Sequence, residues 1–115
     1  MVELDLKRGD IVIVKFDPVI GNEQGKTRPS LVIQNNIGNR FSPLTIVAPI
    51  TSKIYSRIFP TNVEINEKDL NLNGTILLNQ IRTIDKKRII RIHGNLNENI
   101  MNKVNDALKI SLDIK

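Results

Sequence analysis

The sequence predicts a mainly β domain with a C-terminal helix, folded as an SH3-like antiparallel β-barrel or half-barrel. Six or seven short segments rich in Ile, Leu and Val are separated by polar or Pro- and Gly-containing turns. Apolar residues change from strand spacing to helical spacing only after Leu96. The 115 residues contain no repeat or linker, so we expect one domain, 1–115.

The first two predicted strands flank a polar loop. Residues 11–16 are a nearly continuous β-branched run, which is typical of a strand buried on both faces. A second strand is predicted at 30–35, so that Arg28 and Pro29 lie where the loop meets the sheet. The sequence then predicts a turn or single helical turn at 36–43, strands at 44–51, 61–66, 75–84 and 89–93, and a turn ending at Gly74. Within the strand at 44–51, Pro49 indicates a sheet edge or a bulge.

Two helical segments are predicted near the C-terminus. Asp85 is placed to cap a short helical turn at 86–88. The longer helix is capped either by Asn95, paired with Glu98, or by Asn97. Its apolar stripe, which we expect to pack on the sheet, consists of Ile100, Met101, Val104, Ala107, Leu108 and Leu112.

Composition restricts the classes of function. Seventeen Lys and Arg against twelve Asp and Glu give a net charge of +5, which suits a polyanionic partner or serves solubility alone. The absence of cysteine excludes a disulfide framework, a thiolate metal site and a cysteine nucleophile. No apolar run reaches the roughly 20 residues that span a bilayer, and the N-terminus lacks a signal sequence, so we expect a cytoplasmic protein without membrane association.

Several kinds of catalytic site are absent from the sequence. His93 is the only histidine, which excludes a two-histidine ribonuclease and a His-rich metal site. The carboxylates are scattered, without the spaced cluster that Mg²⁺ or Ca²⁺ requires. Gly21 and Gly25 precede a strand, without the helix that follows a phosphate loop. We therefore expect neither a metal nor a cofactor.

Polar groups near strand ends remain as candidates for binding and catalysis. Arg28 offers a planar fork that suits phosphate oxygens, and Thr51 places a hydroxyl at a strand end. Further groups could contact a nucleic acid: Gln24, Asn35, Asn36, Asn39, Arg40, Asn79, Gln80 and Arg82. Singly, each is better explained as a turn cap or a solvated residue than as a functional group. Together, on a basic chain, they favour a nucleic-acid surface, although four aromatic residues argue against an extended base-stacking platform.

Several motifs in order along the chain resemble the MazF/PemK toxin family, most closely its Gram-positive branch. The motifs are Arg8-Gly9-Asp10, Gly21-Asn22-Glu23-Gln24-Gly25-x-x-Arg28-Pro29, Ile33-Gln34-Asn35-x-Ile37-Gly38-Asn39-Arg40-Phe41-Ser42-Pro43, Ile50-Thr51 and Gln80-Ile81-Arg82-Thr83-Ile84-Asp85. The resemblance implies a homodimeric, metal-independent endoribonuclease on a barrel fold shared with the CcdB toxins. Such toxins cut single-stranded RNA, often mRNA, leaving a 2′,3′-cyclic phosphate and a 5′-hydroxyl. A cognate antitoxin neutralises them with a largely acidic, disordered segment.

The resemblance also implies roles for particular residues. Arg28 and Thr51 match the catalytic pair, and Glu23 matches a loop carboxylate that is our candidate general base. Arginine has a pKa above roughly 12, which favours an electrostatic role over proton donation. The expected RNA contacts are Gln24, Asn36, Phe59, Asn79, Gln80 and Arg82. The chain departs from the family pattern at Asn79, where Asp or Glu is common, and at Asn22, where some relatives have histidine.

A second class of function stays open at this point. The same fold and charge suit a non-catalytic SH3-like module that binds nucleic acid or protein, including a CcdB-like gyrase inhibitor. Such a module predicts salt-sensitive binding without strand cleavage.

Overall fold

The computed structural model describes residues 4–16 and 26–115, and in these ranges seven strands form a curled antiparallel sheet, a half-barrel, with a C-terminal helix. The strands are β1 (Asp10–Phe16), β2 (Lys26–Val32), β3 (Leu44–Thr51), β4 (Asn62–Glu67), β5 (Leu72–Leu77), β6 (Arg82–Asp85) and β7 (Ile89–Asn95). The helices are α1 (Asn36–Phe41) and α2 (Glu98–Ser111), with 3₁₀ turns at Lys68–Leu70 and Lys86–Arg88. The predicted fold class is confirmed.

Strand β3 is the centre of the sheet. The strand order is β4-β5-β3-β2-β1-β7, and β6 also pairs with β3. Val47 of β3 pairs with Arg82 of β6, and Ile50 of β3 pairs with Ile76 of β5. The segment predicted as one strand at 75–84 is therefore two strands separated by a turn, and both lie along β3.

Two prolines lie where the pairing between β2 and β3 ends. The last pair of this register joins Ser30 and Pro49. Because Ile33 donates its N–H to the carbonyl of Ile46 and bonding positions alternate, the N–H that Pro29 lacks would have faced β3. Pro49 lies where β3 has left β6 and has not yet reached β5. The prediction of a sheet edge at Pro49 is therefore wrong, because β3 is central. Pro49 lies in the gap between the pairing of β3 with β6 and its pairing with β5.

Side chains of the sheet alternate between two apolar cores. On one face α2 covers a core to which Ile11, Leu31 and Val104 contribute. On the other face the sheet curls around a smaller core to which Val12, Val32 and Ile84 contribute. Of the predicted stripe on α2, Val104 and Ala107 are buried, whereas Leu112 is exposed.

Several predicted boundaries are corrected. β2 begins at Lys26 and ends at Val32, so Arg28 and Pro29 lie inside a strand rather than before one. Gly74 lies inside β5 rather than in a turn, and β7 continues to Asn95.

Both helical caps are formed by side chains that the sequence indicated. Asp85 Oδ1 accepts the N–H of Lys87 at 2.9 Å, which confirms the short helical turn. Asn97, one of the two alternatives for α2, accepts the N–H of Ile100 at 3.0 Å. Within the described ranges, no helix is long and apolar enough to cross a membrane.

Candidate active site

Arg28 and Thr51 line one open pocket of about 290 Å³. Extending the β2–β3 register by two residues from the pair of Ser30 and Pro49 sets Arg28 opposite Thr51. The strands are not paired there, because Pro29 lacks the N–H that would bond to β3. The other residues that line the pocket are Pro29, Ile50, Ser52, Leu72 and Asn73. The end of the β2–β3 ladder thus creates the opening between the two predicted catalytic residues.

The hydroxyl of Thr51 is available as a hydrogen-bond donor to a ligand. Its Oγ1 accepts the N–H of Lys53 at 3.3 Å. The Lys53 carbonyl in turn accepts the hydroxyl of the buried Thr75 at 2.8 Å, and Thr51 pairs with Thr75 across β3 and β5. The backbone after Thr51 is therefore tied to β5, which limits where the Thr51 hydroxyl can point.

Arg28 is exposed and lines the same pocket as Thr51. In the part of the chain that the structure describes, the one ion pair joins Lys7 and Asp5 at 3.7 Å, so no described carboxylate is paired with Arg28. The guanidinium can therefore offer its N–H groups to a phosphate that enters the pocket.

The loop after β3 carries aromatic and basic side chains. Phe59 meets the ring of Tyr55 edge-on, with 5.9 Å between ring centroids. The ammonium of Lys53 lies 4.7 Å from the Tyr55 ring centroid. This loop begins after Thr51, so Phe59, a predicted RNA contact, lies on the chain segment that follows one of the residues lining the pocket.

The remaining predicted RNA contacts lie in several places. Arg82 places its guanidinium 4.9 Å from the ring centroid of Phe16, which joins β6 to the end of β1. Asn79 and Gln80 are exposed in the turn between β5 and β6. Two predicted site residues, Glu23 and Gln24, lie outside the described residues.

The structure does not bring Asn36 to this pocket. Asn36 begins α1, and its Oδ1 accepts the N–H of Arg8 at 2.6 Å. It lines a different depression, together with Leu4 and Arg40 among others. An RNA contact at Asn36 stays a prediction.

Asn39, another polar candidate from the sequence, is a buried structural residue. It is 1% exposed. Its Oδ1 accepts the hydroxyl of Thr45 at 2.7 Å and the Gln34 amide at 3.2 Å, and its Nδ2 donates to the Gln34 carbonyl at 2.9 Å. Lys86 donates its ammonium to the Asn39 carbonyl. The side chain is fully engaged and cannot read a nucleotide, so that interpretation was wrong.

Sequence reasoning missed Leu72 and Asn73 as residues of the pocket. We placed them in a polar turn, whereas they open β5 and pair with β4 at Glu67 and Asn66. The alternation of Leu72 with polar neighbours was the available signal for a strand. Among the described residues, no group of three or more His, Cys, Asp or Glu side chains is placed to hold a metal ion.

Comparison with known proteins identifies the family. Residues 7–112 match the sequence model of a protein family described as the PemK-like, MazF-like toxin of type II toxin–antitoxin systems. The chain belongs to this family. The resemblance that the motifs carried is therefore confirmed, and the toxin fold accounts for nearly the whole chain.

Relatives of this toxin family member include named endoribonucleases. The protein named Endoribonuclease EndoA from Bacillus subtilis (strain 168) is 51% identical over 109 residues, which cover 93% of this chain and 94% of that relative. The solved structure of an endoribonuclease with its cognate antitoxin from a Mycobacterial species is 25% identical, with a TM-score of 0.79 over 96% of this chain and 97% of that chain. The MazE–MazF structure (Form-II) from Deinococcus radiodurans is 24% identical, with a TM-score of 0.84 over 97% of this chain and 99% of that chain, and shows the shared fold.

Proposed function

We propose that this toxin is a metal-independent endoribonuclease that cuts single-stranded RNA, including mRNA, at specific short sequences. The observation that carries the proposal is the single pocket that Arg28 and Thr51 share at the end of the β2–β3 ladder. The 51% identical relative named as an endoribonuclease supports the same activity. No described feature favours the non-catalytic alternative.

The pocket suits attack by the ribose 2′-hydroxyl on the adjacent phosphorus. Negative charge grows on the non-bridging phosphate oxygens as the new P–O bond forms and the bond to the 5′ oxygen breaks. The Arg28 guanidinium and the Thr51 hydroxyl stabilise that charge, because both donate hydrogen bonds into the pocket. The leaving 5′ oxygen takes up a proton from water, so the products are a 2′,3′-cyclic phosphate and a 5′-hydroxyl. Arg28 acts electrostatically, since its guanidinium does not release a proton near neutral pH.

Glu23 is our candidate for the general base. A carboxylate can accept the proton of the 2′-hydroxyl as it attacks, provided that it reaches that hydroxyl. Asn79 is an amide where relatives commonly have a carboxylate, so this position cannot supply a base in this chain.

RNA outside the cleaved bond is held by polar and aromatic groups beyond the residues that line the pocket. Arg82 and Phe59 supply charge and a stacking face, and Asn79 and Gln80 supply amides that can read base edges. Gln24 and Asn36 are two further RNA contacts in our proposal.

We propose further that the toxin acts as a homodimer and is neutralised by a cognate antitoxin through an acidic, disordered segment. The relative solved with its cognate antitoxin supports this partner, and the net charge of +5 favours an acidic segment. We place one toxin domain at 1–115 and its action in the cytoplasm, where mRNA is found. Sedimentation at micromolar concentration tests the dimer, and a monomer there would contradict it.

The test of activity is cleavage of a long single-stranded RNA in EDTA, with the ends of the fragments mapped. Wild type should give discrete cuts with cyclic-phosphate ends. Arg28→Ala should lose about 10²–10³-fold in rate, because one charged donor to the transition state is gone. Lys109→Ala, which removes an exposed cation on α2, should cut like wild type. Intact RNA in EDTA that is cut when a divalent metal is added would contradict the metal-independent mechanism.

A further inference from the structure

A cationic surface lies near the end of β1. A concave region of about 320 Å³, here called the basic hollow, is lined by Lys15, Asp85, Lys87, Arg88 and Ile90. The residues come from β1, the end of β6, the 3₁₀ turn after it and β7. The geometry thus gathers three cations and one carboxylate from segments that are distant in sequence.

The one carboxylate among the described lining residues offsets at most one of the three cations. Asp85 is committed to capping, since its Oδ1 accepts the N–H of Lys87 at 2.9 Å. Within residues 4–16 and 26–115, no ion pair or side-chain hydrogen bond involves the ammonium of Lys15 or Lys87. Arg91 adds a further exposed cation, because it pairs with Ile13, whose side chain shares a strand face with Lys15. The hollow and its rim are therefore strongly positive.

The basic hollow adjoins two residues of the candidate site. Lys15 pairs across the β1–β2 ladder with Thr27, the residue that precedes Arg28. Phe16, which follows Lys15, carries the guanidinium of Arg82 over its ring. Because side chains alternate along β1, Lys15 lies on the strand face opposite Val14 and Phe16, so a polyanion held at Arg28 or Arg82 would reach the hollow by passing around the end of β1.

We propose that the basic hollow binds the phosphate backbone of RNA outside the cleaved bond, independently of base sequence. This inference rests on the proposed function, which makes RNA the substrate. A phosphate backbone requires cations spaced along a concave surface. An acidic protein segment would in addition need apolar contacts, and Ile90 is the one apolar residue among the described residues that line the hollow. None of these described lining residues is aromatic, so they offer no stacking face to a base.

The experiment measures binding without cleavage. The probe is a labelled 2′-O-methyl oligouridylate of about 30 nucleotides, which lacks the attacking hydroxyl and is long enough to extend beyond one site. Its dissociation constant is measured against salt concentration for the wild type, for Lys15→Gln/Lys87→Gln, and for Lys103→Gln/Lys109→Gln. The last variant is the matched control, because it also removes two exposed lysines, both on α2.

The two variants should differ in RNA affinity and in its dependence on salt. Loss of Lys15 and Lys87 should weaken binding about tenfold and lower the slope of log K against log salt by about 1.4, since each contact to a single strand contributes about 0.7. The α2 variant should keep the wild-type slope. Equal slopes in both variants, with RNA still cut by the wild type, would overturn the inference and leave the proposed function intact.

Two further results decide between partners and between proposals. Binding of poly-glutamate that depends on Lys15 and Lys87, with unchanged RNA binding, would assign the hollow to an acidic protein and overturn the inference. Hollow-dependent RNA binding by a protein that cuts no RNA would support the inference while the proposed function failed.

Discussion

The carbonyl oxygen of Thr51 lies 2.0 Å from the position that a β-carbon on Gly74 would occupy. No side chain larger than hydrogen fits between these two backbones, so β5 can approach β3 this closely only with glycine at residue 74. The contact holds the backbone of Thr51 at the edge of the pocket, next to the pair that Thr51 forms with Thr75. A residue without any functional group thereby positions a catalytic candidate.

Gly74→Ala should move Thr51 and impair cleavage. The new methyl group meets backbone rather than a flexible side chain, so we expect a loss of about 1–3 kcal/mol in the free energy of unfolding. The cleavage rate should fall about tenfold or more, since a displacement of about 1 Å can cost up to 10²-fold. Urea unfolding and single-turnover cleavage measure the two effects. Gly38→Ala is the comparison: its methyl group meets the Gln34 side chain of the Asn39 network rather than the backbone of Thr51, so it should lower stability without a comparable loss of cleavage.

Replacement of Thr51 separates its hydroxyl from its shape. Thr51→Ser keeps a donor to the phosphate and an acceptor for the N–H of Lys53, so we expect activity within about tenfold of wild type. Thr51→Val keeps the shape and removes the hydroxyl, and should lower the cleavage rate about 10²–10³-fold. Single-turnover kinetics with saturating enzyme measure both. Equal rates for the two variants would show that the hydroxyl takes no part in the reaction.

The strands that could be predicted from sequence are those whose own residues specify them. The prediction at 44–51 matches β3, and that at 11–16 differs from β1 by one residue, because both are apolar runs bounded by polar or turn-forming residues. The start of β2 was missed because Lys26 to Pro29 has little strand propensity. Pairing with β1, which sets Arg28 opposite Val14, keeps this stretch extended.

The two main residues of the site could be predicted from the sequence, but the backbone arrangement that forms the pocket could not. Motif resemblance selected Arg28 and Thr51, and the structure brings both to one pocket. The role of Gly74 was not predictable from local sequence, because a glycine before an apolar run indicates a turn. Glycine is needed at residue 74 because the backbone of β3 leaves no room for a side chain there. Asn39 was misread for a similar reason, since it lies in α1 and its partner Thr45 lies in β3.

Asn39→Ala should destabilise the fold strongly. The substitution leaves the buried hydroxyl of Thr45 and part of the Gln34 amide without partners, and each such loss costs about 1–3 kcal/mol. We expect a decrease of about 2–4 kcal/mol in the free energy of unfolding, measured by urea denaturation. Asn102→Ala, at an exposed position on α2, should stay within about 0.5 kcal/mol of wild type. A similar small effect at Asn39 would contradict the structural role of this network.

Asp10→Asn should raise stability near neutral pH and flatten its dependence on acid. Asp10 is buried, and burial raises the pKa of its carboxyl above the ordinary 3.8, although the N–H and charge of Lys7 act in the opposite direction. A raised pKa means that the folded protein holds the proton more tightly than the unfolded chain. The stabilisation that Asp10 contributes by holding this proton is therefore full below about pH 4 and is lost as pH rises through the folded pKa.

Asparagine at residue 10 never ionises and can still accept the N–H of Lys7. Thermal midpoints from about pH 3 to pH 7 should therefore show the variant gaining on the wild type as pH rises. Asp106→Asn, the same change at an exposed position, should show no such gain, and a constant difference at residue 10 would disprove the linkage.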